Sequence, residues 1–501
     1  MNRNTKIVAT YGPAVDSPER TRDLIRAGAD VIRLNFSHGD YAAHERAIET
    51  IRRVSAEEGR TVAILQDLRG PKIRVGLLPT EPLTLREGEE VVLVGREGPG
   101  EASGAESPDA AAASGSAAEA AAATGSASEA AAIPVEGYRN LGRDVHPGES
   151  ILLNDGALAL RVKQTDGDRV ICTVEVGGIL TSRKGVNFPD TQLTSVETIT
   201  AKDWRDLEFG LAHGVDWVAL SFVRAATEVR RLKKAIGKQG HDVPVIAKIE
   251  KREALESLEE IVAEADGIMV ARGDLGVETE LEEVVLRQKE IIRACNRQGK
   301  VVITATQMLE SMMTHPTPTR AEVADVSNAI FDGTDALMLS GETAVGQYPV
   351  ESVAFMARVA EQVEDALDTK NMLAQRPFLR DVSDAVAHAA CVTAQEIGAK
   401  ALICLTRSGM TARLVSRYRP RSPVIAVSPH ESTVRRLVLH WGLLPVNLPG
   451  DREGHALLET ALAKAREIGW VKSGDRVVLT AGVSTSVLRG RTNLVRVEIL
   501  E

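Results

Sequence analysis

The sequence predicts an α/β protein built on a (β/α)8 TIM barrel, with an all-β domain inserted into the barrel and a C-terminal α/β domain. Three observations carry that expectation. Short β-branched runs alternate with amphipathic helical stretches at both ends of the chain, the pattern of a parallel α/β fold. The alternation stops near Arg74 and resumes after about Gly185. Three strands before this gap and five after it make the eight that a barrel needs.

The first strand is expected over Lys6 to Thr10, followed by a helix from Pro18 to Ala27 with Ser17 as N-cap, Pro18 at its first position and Gly28 past its end. Val31 to Asn35, a helix over Ala42 to Glu58, and Thr61 to Gln66 follow. The insertion shows short strands and turns, such as Glu90 to Val94, Ser150 to Leu153 and Arg169 to Val176. The barrel pattern returns with a helix near Lys202 to His213, then strands at Trp217 to Ser221, Pro244 to Ile249, Gly267 to Ala271, Val301 to Thr306 and Ala336 to Ser340. The C-terminal unit is expected to hold a helix over Asp384 to Ile397 and strands at Ala401 to Leu405, Val424 to Val427, Val477 to Thr480 and Leu494 to Ile499. The expected domains are therefore 1–73 and 186–354 for the barrel, 74–185 for the insertion and 355–501 for the C-terminal unit. Residues 98–132, rich in Ala, Ser and Gly with no large apolar side chain before Ala132, read as a low-complexity loop; a solenoid repeat would need an apolar face to bury.

Composition bounds the function. The 501 residues are 44% hydrophobic and 26% charged, the balance of a globular protein, and the net charge of −10 argues against a nucleic-acid binder. Cys172, Cys295, Cys391 and Cys404 are too scattered for a CxxC site and fit buried thiols in a reducing compartment. Neither a signal-peptide core nor a membrane-spanning apolar run is seen, so a cytoplasmic location away from membranes is expected.

Function in a barrel of this type sits where strands end. The strand ends supply Arg33, Asn35, Asp67, Lys248, Glu250, Arg272, Asp274, Thr306 and Ser340. Glu250 and Asp274 end adjacent strands, and paired carboxylates suit Mg²⁺. Lys248 lies two residues before Glu250, so both can face the barrel mouth, and a lysine beside a metal suits a phosphoryl group. For any one pair a rim salt bridge is the better explanation, but the whole set argues for a functional site. Gly273, between Arg272 and Asp274, lets backbone N–H groups approach an anion. No GxxxxGK[ST] loop or protein-kinase signature is present.

Several motifs together resemble the pyruvate kinase family: 33–39 (RLNFSHG), 248–250 (KIE), 268–276 (IMVARGDLG), 306–309 (TQML), 318–322 (PTRAE) and 338–343 (MLSGET). They occur in the family's order, and the resemblance covers nearly the whole chain outside residues 98–132. It implies transfer of the phosphoryl group of phosphoenolpyruvate to ADP, giving ATP and pyruvate. The resemblance assigns Mg²⁺ to Glu250 and Asp274, and the transferring phosphoryl to Lys248 and Arg33. It gives the substrate carboxylate to Gly273, Asp274 and Thr306, and the nucleotide side to Asn35, His38, Arg74 and Lys184. Ser340 and Thr306 lie where a proton could reach the enolate. The insertion is expected to act as a lid that excludes water.

Asn35, Ser37, Asp67 and the carbonyl of Leu68 match the family's K⁺ site, but Lys72 stands where K⁺-dependent members carry glutamate, and Leu68 where they carry threonine. A fixed ammonium could replace the monovalent cation, so K⁺ is expected not to be required. Thr406, Arg407, Ser408, Gly409 and Thr411, at a strand–helix turn, resemble the family's sugar-phosphate effector loop, with Arg489 and Arg491 adding charge; AMP is the other candidate effector, and an ordinary capped turn is the competing explanation. A homotetramer is expected by resemblance alone. A Mg²⁺-dependent pyruvate aldolase and a non-catalytic metabolite sensor on the same fold stay open.

Overall fold

A computed structural model describes residues 3–96, 131–193, 196–369, 372–373, 379, 381–450, 454–482 and 491–501. Eight parallel strands form a closed barrel. Lys6–Thr10 pairs on one side with Val31–Asn35 and on the other with Ala336–Leu339, which closes the ring. Strands Lys6–Thr10, Gly267–Ala271 and Val301–Ala305 are buried along their whole length, because helices cover the outer face and side chains fill the inner one.

Local signals explain the first helix. The Ser17 side chain accepts from the Arg20 N–H at 3.2 Å, Pro18 opens Pro18–Ala27, and Gly28 ends it at φ 124°, a conformation open to a residue without Cβ. Strand ends shift slightly from expectation. Ala63–Asp67 starts two residues late and takes in Asp67, because Val31 pairs with Ala63 and Asn35 with Asp67. Val301–Ala305 stops before Thr306, whose φ of 69° leaves the β region.

Residues 71–201 with 276–281 form a second compact unit. It holds a seven-stranded and a two-stranded sheet around a core that includes Val91, Leu93, Leu153, Leu160 and Phe188. Ala131 and Ala132, assigned to the low-complexity loop by composition, instead open strand Ala131–Glu136, pairing with Val91 and Val92. Residues 98–130 of that loop lie outside the described residues.

The C-terminal sheet has five strands, four parallel and the last, Leu494–Ile499, antiparallel. One of them, Leu443–Asn447, is absent from the sequence expectation. It is an edge strand carrying Pro445, a residue that argues against a strand interior and is tolerated at an edge. Helix Pro349–Asp365 runs through residue 355, where the sequence suggests a domain boundary. The four cysteines are free and buried, and burial pushes the Cys172 thiol up to about 12. Among the described residues no helix is long and apolar enough to cross a membrane.

The barrel and the C-terminal sheet share one compact unit, and buried Arg419 joins them. Its guanidinium donates to the carbonyls of Gly333 (2.7 Å) and Thr334 (3.1 Å), pairs with Asp335 at 3.0 Å and lies over the Trp441 ring. Replacing Arg419 with Met leaves the Asp335 charge and two carbonyls without that partner. We expect a loss of about 3–5 kcal/mol, measured as the shift in urea-unfolding midpoint; a shift under about 1 kcal/mol would show that the joint does not depend on this residue.

Candidate active site

Strand ends bring the predicted charged residues into one buried cluster. Arg33 lies in strand Val31–Asn35; its guanidinium meets Asp67 Oδ2 at 2.6 and 2.7 Å and Thr10 Oγ1 at 3.1 Å. Lys248 Nζ lies 3.3 Å from Asp67 Oδ1, 2.9 Å from Glu250 Oε1 and 2.8 Å from Ser221 Oγ. Asp67 and Glu250 are each 1% exposed. Two cations and two carboxylates are thus interleaved in a site with little water.

The electrostatics follow from that geometry. Burial works against the Lys248 ammonium, but Asp67 and Glu250 outweigh it and hold the pKa above the ordinary lysine value. Burial likewise opposes ionisation of Asp67, and Lys248 and Arg33 reverse the balance, so its pKa falls below the usual value. Glu250 goes the other way. Burial and the nearby Asp274 charge push its carboxyl up, despite Lys248 and the Phe222 N–H at 2.7 Å. Two carboxylates that repel each other at a strand-end rim suit a divalent cation. Among the described residues there is no group of three or more His, Cys, Asp or Glu side chains that could hold a metal. Paired carboxylates of this kind match the ligand type of Mg²⁺, which takes one or two carboxylates.

Thr306 sits on a strained turn. Thr306 and Gln307 are consecutive non-glycine residues at φ 69° and 53°. Such a turn costs energy for a β-branched residue. Arg272 braces it, donating to the carbonyls of Ala305 (3.3 Å), Thr306 (2.7 Å) and Gln307 (3.3 Å) while Asp325 holds the guanidinium at 2.6 Å. Thr306 Oγ1 accepts from the Gly273 N–H at 2.7 Å and donates to the Ala305 carbonyl at 2.6 Å. Of the predicted trio, Gly273 and Thr306 therefore meet, and Asp274 follows Gly273 on the helix Arg272–Glu278. Ser340 follows the neighbouring strand, and its N–H donates to Glu342 at 2.7 Å.

The residues expected from the resemblance at a monovalent-cation site also lie around the end of strand Ala63–Asp67. Asn35 Oδ1 accepts from the Ser37 N–H at 3.1 Å, Phe36 N–H donates to the Asp67 carbonyl at 3.0 Å, and Ser221 Oγ donates to the Leu68 carbonyl at 2.7 Å. His38 sits on the exposed loop that follows, where buried Phe36 stacks on His44 at 4.0 Å and His44 contacts the His38 carbonyl. Arg74, Lys184 and Lys72 belong to the second unit. Val75 N–H donates to the Lys184 carbonyl, Arg74 donates to the Arg183 carbonyl at 2.9 Å, and a Cβ at Gly185 would lie 3.5 Å from Lys72 Cε.

At the expected effector loop, Thr406 Oγ1 accepts from the Gly409 N–H at 2.9 Å, Thr433 Oγ1 donates to the Arg407 carbonyl, and Thr411 bonds Thr492. Ser408 and Arg491 are exposed, and Arg489 lies outside the described residues. Sequence reasoning missed Ser221, Phe222 and the bracing role of Arg272. Ser221 was within reach, since it closes an expected strand beside Asp67.

A closed parallel barrel with a buried cation–carboxylate cluster at its strand ends defines an α/β-barrel enzyme acting on an anionic substrate. Family models for the pyruvate kinase barrel domain match residues 2–107 and 112–353, and the pyruvate kinase alpha/beta domain matches 384–498. The chain is 44% identical to pyruvate kinase 2 of Synechocystis over all of its own length and 80% of that protein. It is 40% identical to the pyruvate kinase of Clostridium acetobutylicum over the full length of both, and 42% identical to that of Geobacillus stearothermophilus over 81% of the latter. The chain belongs to the pyruvate kinase family. It is a phosphotransferase, and its function is that of a pyruvate kinase.

The cluster predicts its own pH dependence. Because the folded pKa of Asp67 is depressed, its contribution is present above the ordinary aspartate value and is lost as pH falls through the folded value. Asp67→Asn, which leaves Arg33 and Lys248 short of a counter-charge, is expected to cost about 3–5 kcal/mol at neutral pH. Unfolding midpoints of the two proteins should converge below about pH 4. A gap unchanged through that range would assign the loss to packing instead.

Proposed function

We propose that the cluster around Lys248 transfers the phosphoryl group of phosphoenolpyruvate to ADP as a step of glycolysis, in the cytoplasm. The carrying observation is the Lys248 ammonium held between Asp67 and Glu250 with Arg33 beside them. In the reaction the bond between phosphorus and the enol oxygen breaks, and a bond from the β-phosphate of ADP to phosphorus forms. The enolate left behind gains a proton to give pyruvate. Charge on the transferring group is spread over its equatorial oxygens, so fixed cations are what the site must supply. Lys248 and Arg33 fill that role, and the Asp67 and Glu250 carboxylates hold the Lys248 ammonium in its charged form.

Glu250 and Asp274 would hold Mg²⁺, which when bound supplies further positive charge to the phosphoryl oxygens. Gly273, Asp274 and Thr306 would receive the substrate carboxylate. For this Thr306 Oγ must turn its proton from the Ala305 carbonyl, a rotation that costs one hydrogen bond and gains a charge-assisted one. Ser340 and Thr306 are the hydroxyls we place on the proton route to the enolate. Asn35, His38, Arg74 and Lys184 would serve the nucleotide. Thr406, Arg407, Ser408, Gly409, Thr411 and Arg491 would form the sugar-phosphate or AMP site. We expect a homotetramer, which exposed Val285 and Leu286 on helix Val284–Gln298 support.

ATP formation from phosphoenolpyruvate and ADP with Mg²⁺ tests the reading. Lys248→Met should lower kcat by roughly 10²–10³-fold, the size expected for one electrostatic donor to a developing charge. Loss of less than tenfold would remove Lys248 from the phosphoryl site.

The monovalent cation is tested in the same assay. With Lys72 as the fixed ammonium, the wild type should run in K⁺-free buffer and gain little from K⁺ at constant ionic strength. Lys72→Glu should lower K⁺-free activity and restore activation by K⁺. Strong K⁺ activation of the wild type would end the Lys72 reading without touching the assignment of the reaction.

A further inference from the structure

Three acceptors surround the Lys248 ammonium: Ser221 Oγ at 2.8 Å, Glu250 Oε1 at 2.9 Å and Asp67 Oδ1 at 3.3 Å. The two carboxylates supply charge, and each offers several lone pairs, so neither fixes a direction by itself. The hydroxyl does. An ammonium only donates, so Ser221 Oγ accepts from it, and the hydroxyl's own proton goes to the Leu68 carbonyl at 2.7 Å. With that proton committed, the lone pair offered to Lys248 points one way.

The corner that carries Ser221 is held in a conformation a chain does not take freely. Ser221 follows strand Trp217–Leu220 and is buried, and the next residue, Phe222, has φ 54°, which is rare for a bulky side chain. The Phe222 N–H donates to Glu250 Oε2 at 2.7 Å, so Glu250 grips this corner with one oxygen and Lys248 with the other. Gly70 packs so close that a Cβ there would lie 2.9 Å from the Phe222 ring and 3.1 Å from Ser221 Cβ. Gly70 is itself tied down, its N–H donating to buried Asp203 at 3.1 Å. The Leu68 N–H donates to the Ala219 carbonyl at 3.0 Å, which fixes the far side of the Ser221–Leu68 bond. Strain of this kind persists where the surroundings over-determine it, and it clusters at functional sites.

We propose that Ser221 is a positioning residue for the phosphoryl transfer: it sets the place and direction of the Lys248 ammonium, and the Ser221–Phe222 corner is built to aim it. Ser221 can do so only if Lys248 serves the phosphoryl group as proposed above. Asp67 is the longest of the three contacts, and it keeps Arg33 when it lets Lys248 go. Its release frees one N–H for a phosphoryl oxygen, while Glu250 and Ser221 hold the nitrogen where it is. Without the hydroxyl the ammonium would be held by carboxylates alone and would settle toward them, and a misplacement of about 1 Å can cost about 10²-fold in rate.

Steady-state kinetics of the full chain, in a double-mutant cycle of Ser221→Ala and Lys248→Met, tests it. Ser221→Ala should lower kcat roughly 10- to 100-fold, the range for one hydrogen bond to a charged group, and change KM for phosphoenolpyruvate by less than about threefold. In the Lys248→Met background the same substitution should cost less than about threefold further, because Ser221 acts through the ammonium. If Ser221→Ala does not fold by circular dichroism, Ser221→Cys, which keeps the volume and offers only a weak acceptor, takes its place with the same expectation. An equal loss in both backgrounds, a loss confined to KM, or an unchanged kcat in the folded variant would each overturn the proposal. A loss under about tenfold for Lys248→Met alone would overturn the role of Lys248 and that of Ser221 with it, so the two failures are told apart.

Discussion

The site rests on one constraint: two cations, Arg33 and Lys248, share a single buried carboxylate, Asp67, before Lys248 turns to Glu250. Each charge alone would be expensive to bury, and only the interleaved order makes the set tolerable. The constraint explains why the strands end where they do. Asp67 must be the last residue of its strand to stand opposite Asn35 and beside Arg33, and Lys248 must sit one pleat from Glu250 to reach both carboxylates. Register, which apolar residues alone would leave free to slip by two, is pinned by charge at the mouth. The same pairing keeps the ammonium from losing its proton despite burial, so it is available as a cation at any working pH.

A second device fixes the turn after Ala305. The turn at Thr306 and Gln307 has two left-handed residues where glycine would be easier, and Arg272 satisfies three successive carbonyls to hold it. The gain is position. With the chain forced out of the β region immediately after Ala305, the Thr306 hydroxyl is turned toward Gly273, at the start of the helix Arg272–Glu278 that also carries Asp274. Flexible glycine at 306 would leave that hydroxyl absent and the turn loose. The energy stored in the turn is met by the Arg272–Asp325 pair rather than by the substrate, which leaves binding energy for the reacting group.

Much of this was legible in the sequence because barrel strands are short, apolar and periodic, and their ends announce themselves by a change to charged residues. Arg33, Lys248, Glu250 and Asp274 stood out in that way. What stayed hidden depends on partners distant in the chain. Ser221 carries no charge, and nothing local says that its hydroxyl bridges Lys248 and the Leu68 carbonyl. Arg272 looked like the flank of a glycine, while its work is on the next strand's turn. Strand Leu443–Asn447 was invisible because Pro445 breaks the strand pattern, and only its place at the sheet edge makes proline harmless.

Glu250 and Asp274 show why a site can be complete in side chains and still call for an ion. Lys248 neutralises Glu250 in part, yet burial and Asp274 leave that carboxyl harder to ionise than an ordinary glutamate. A second lysine would cure the repulsion permanently and leave no room for exchange. A divalent cation held by Glu250 and Asp274 would relieve it reversibly and would supply positive charge to the phosphoryl oxygens. The chain thus places fixed cations, Arg33 and Lys248, on one flank and the mutually repelling carboxyls of Glu250 and Asp274 on the other. In the proposed reading that asymmetry would orient the substrate, with its phosphoryl end between the two flanks and its carboxylate end at the Thr306 hydroxyl and the Gly273 N–H.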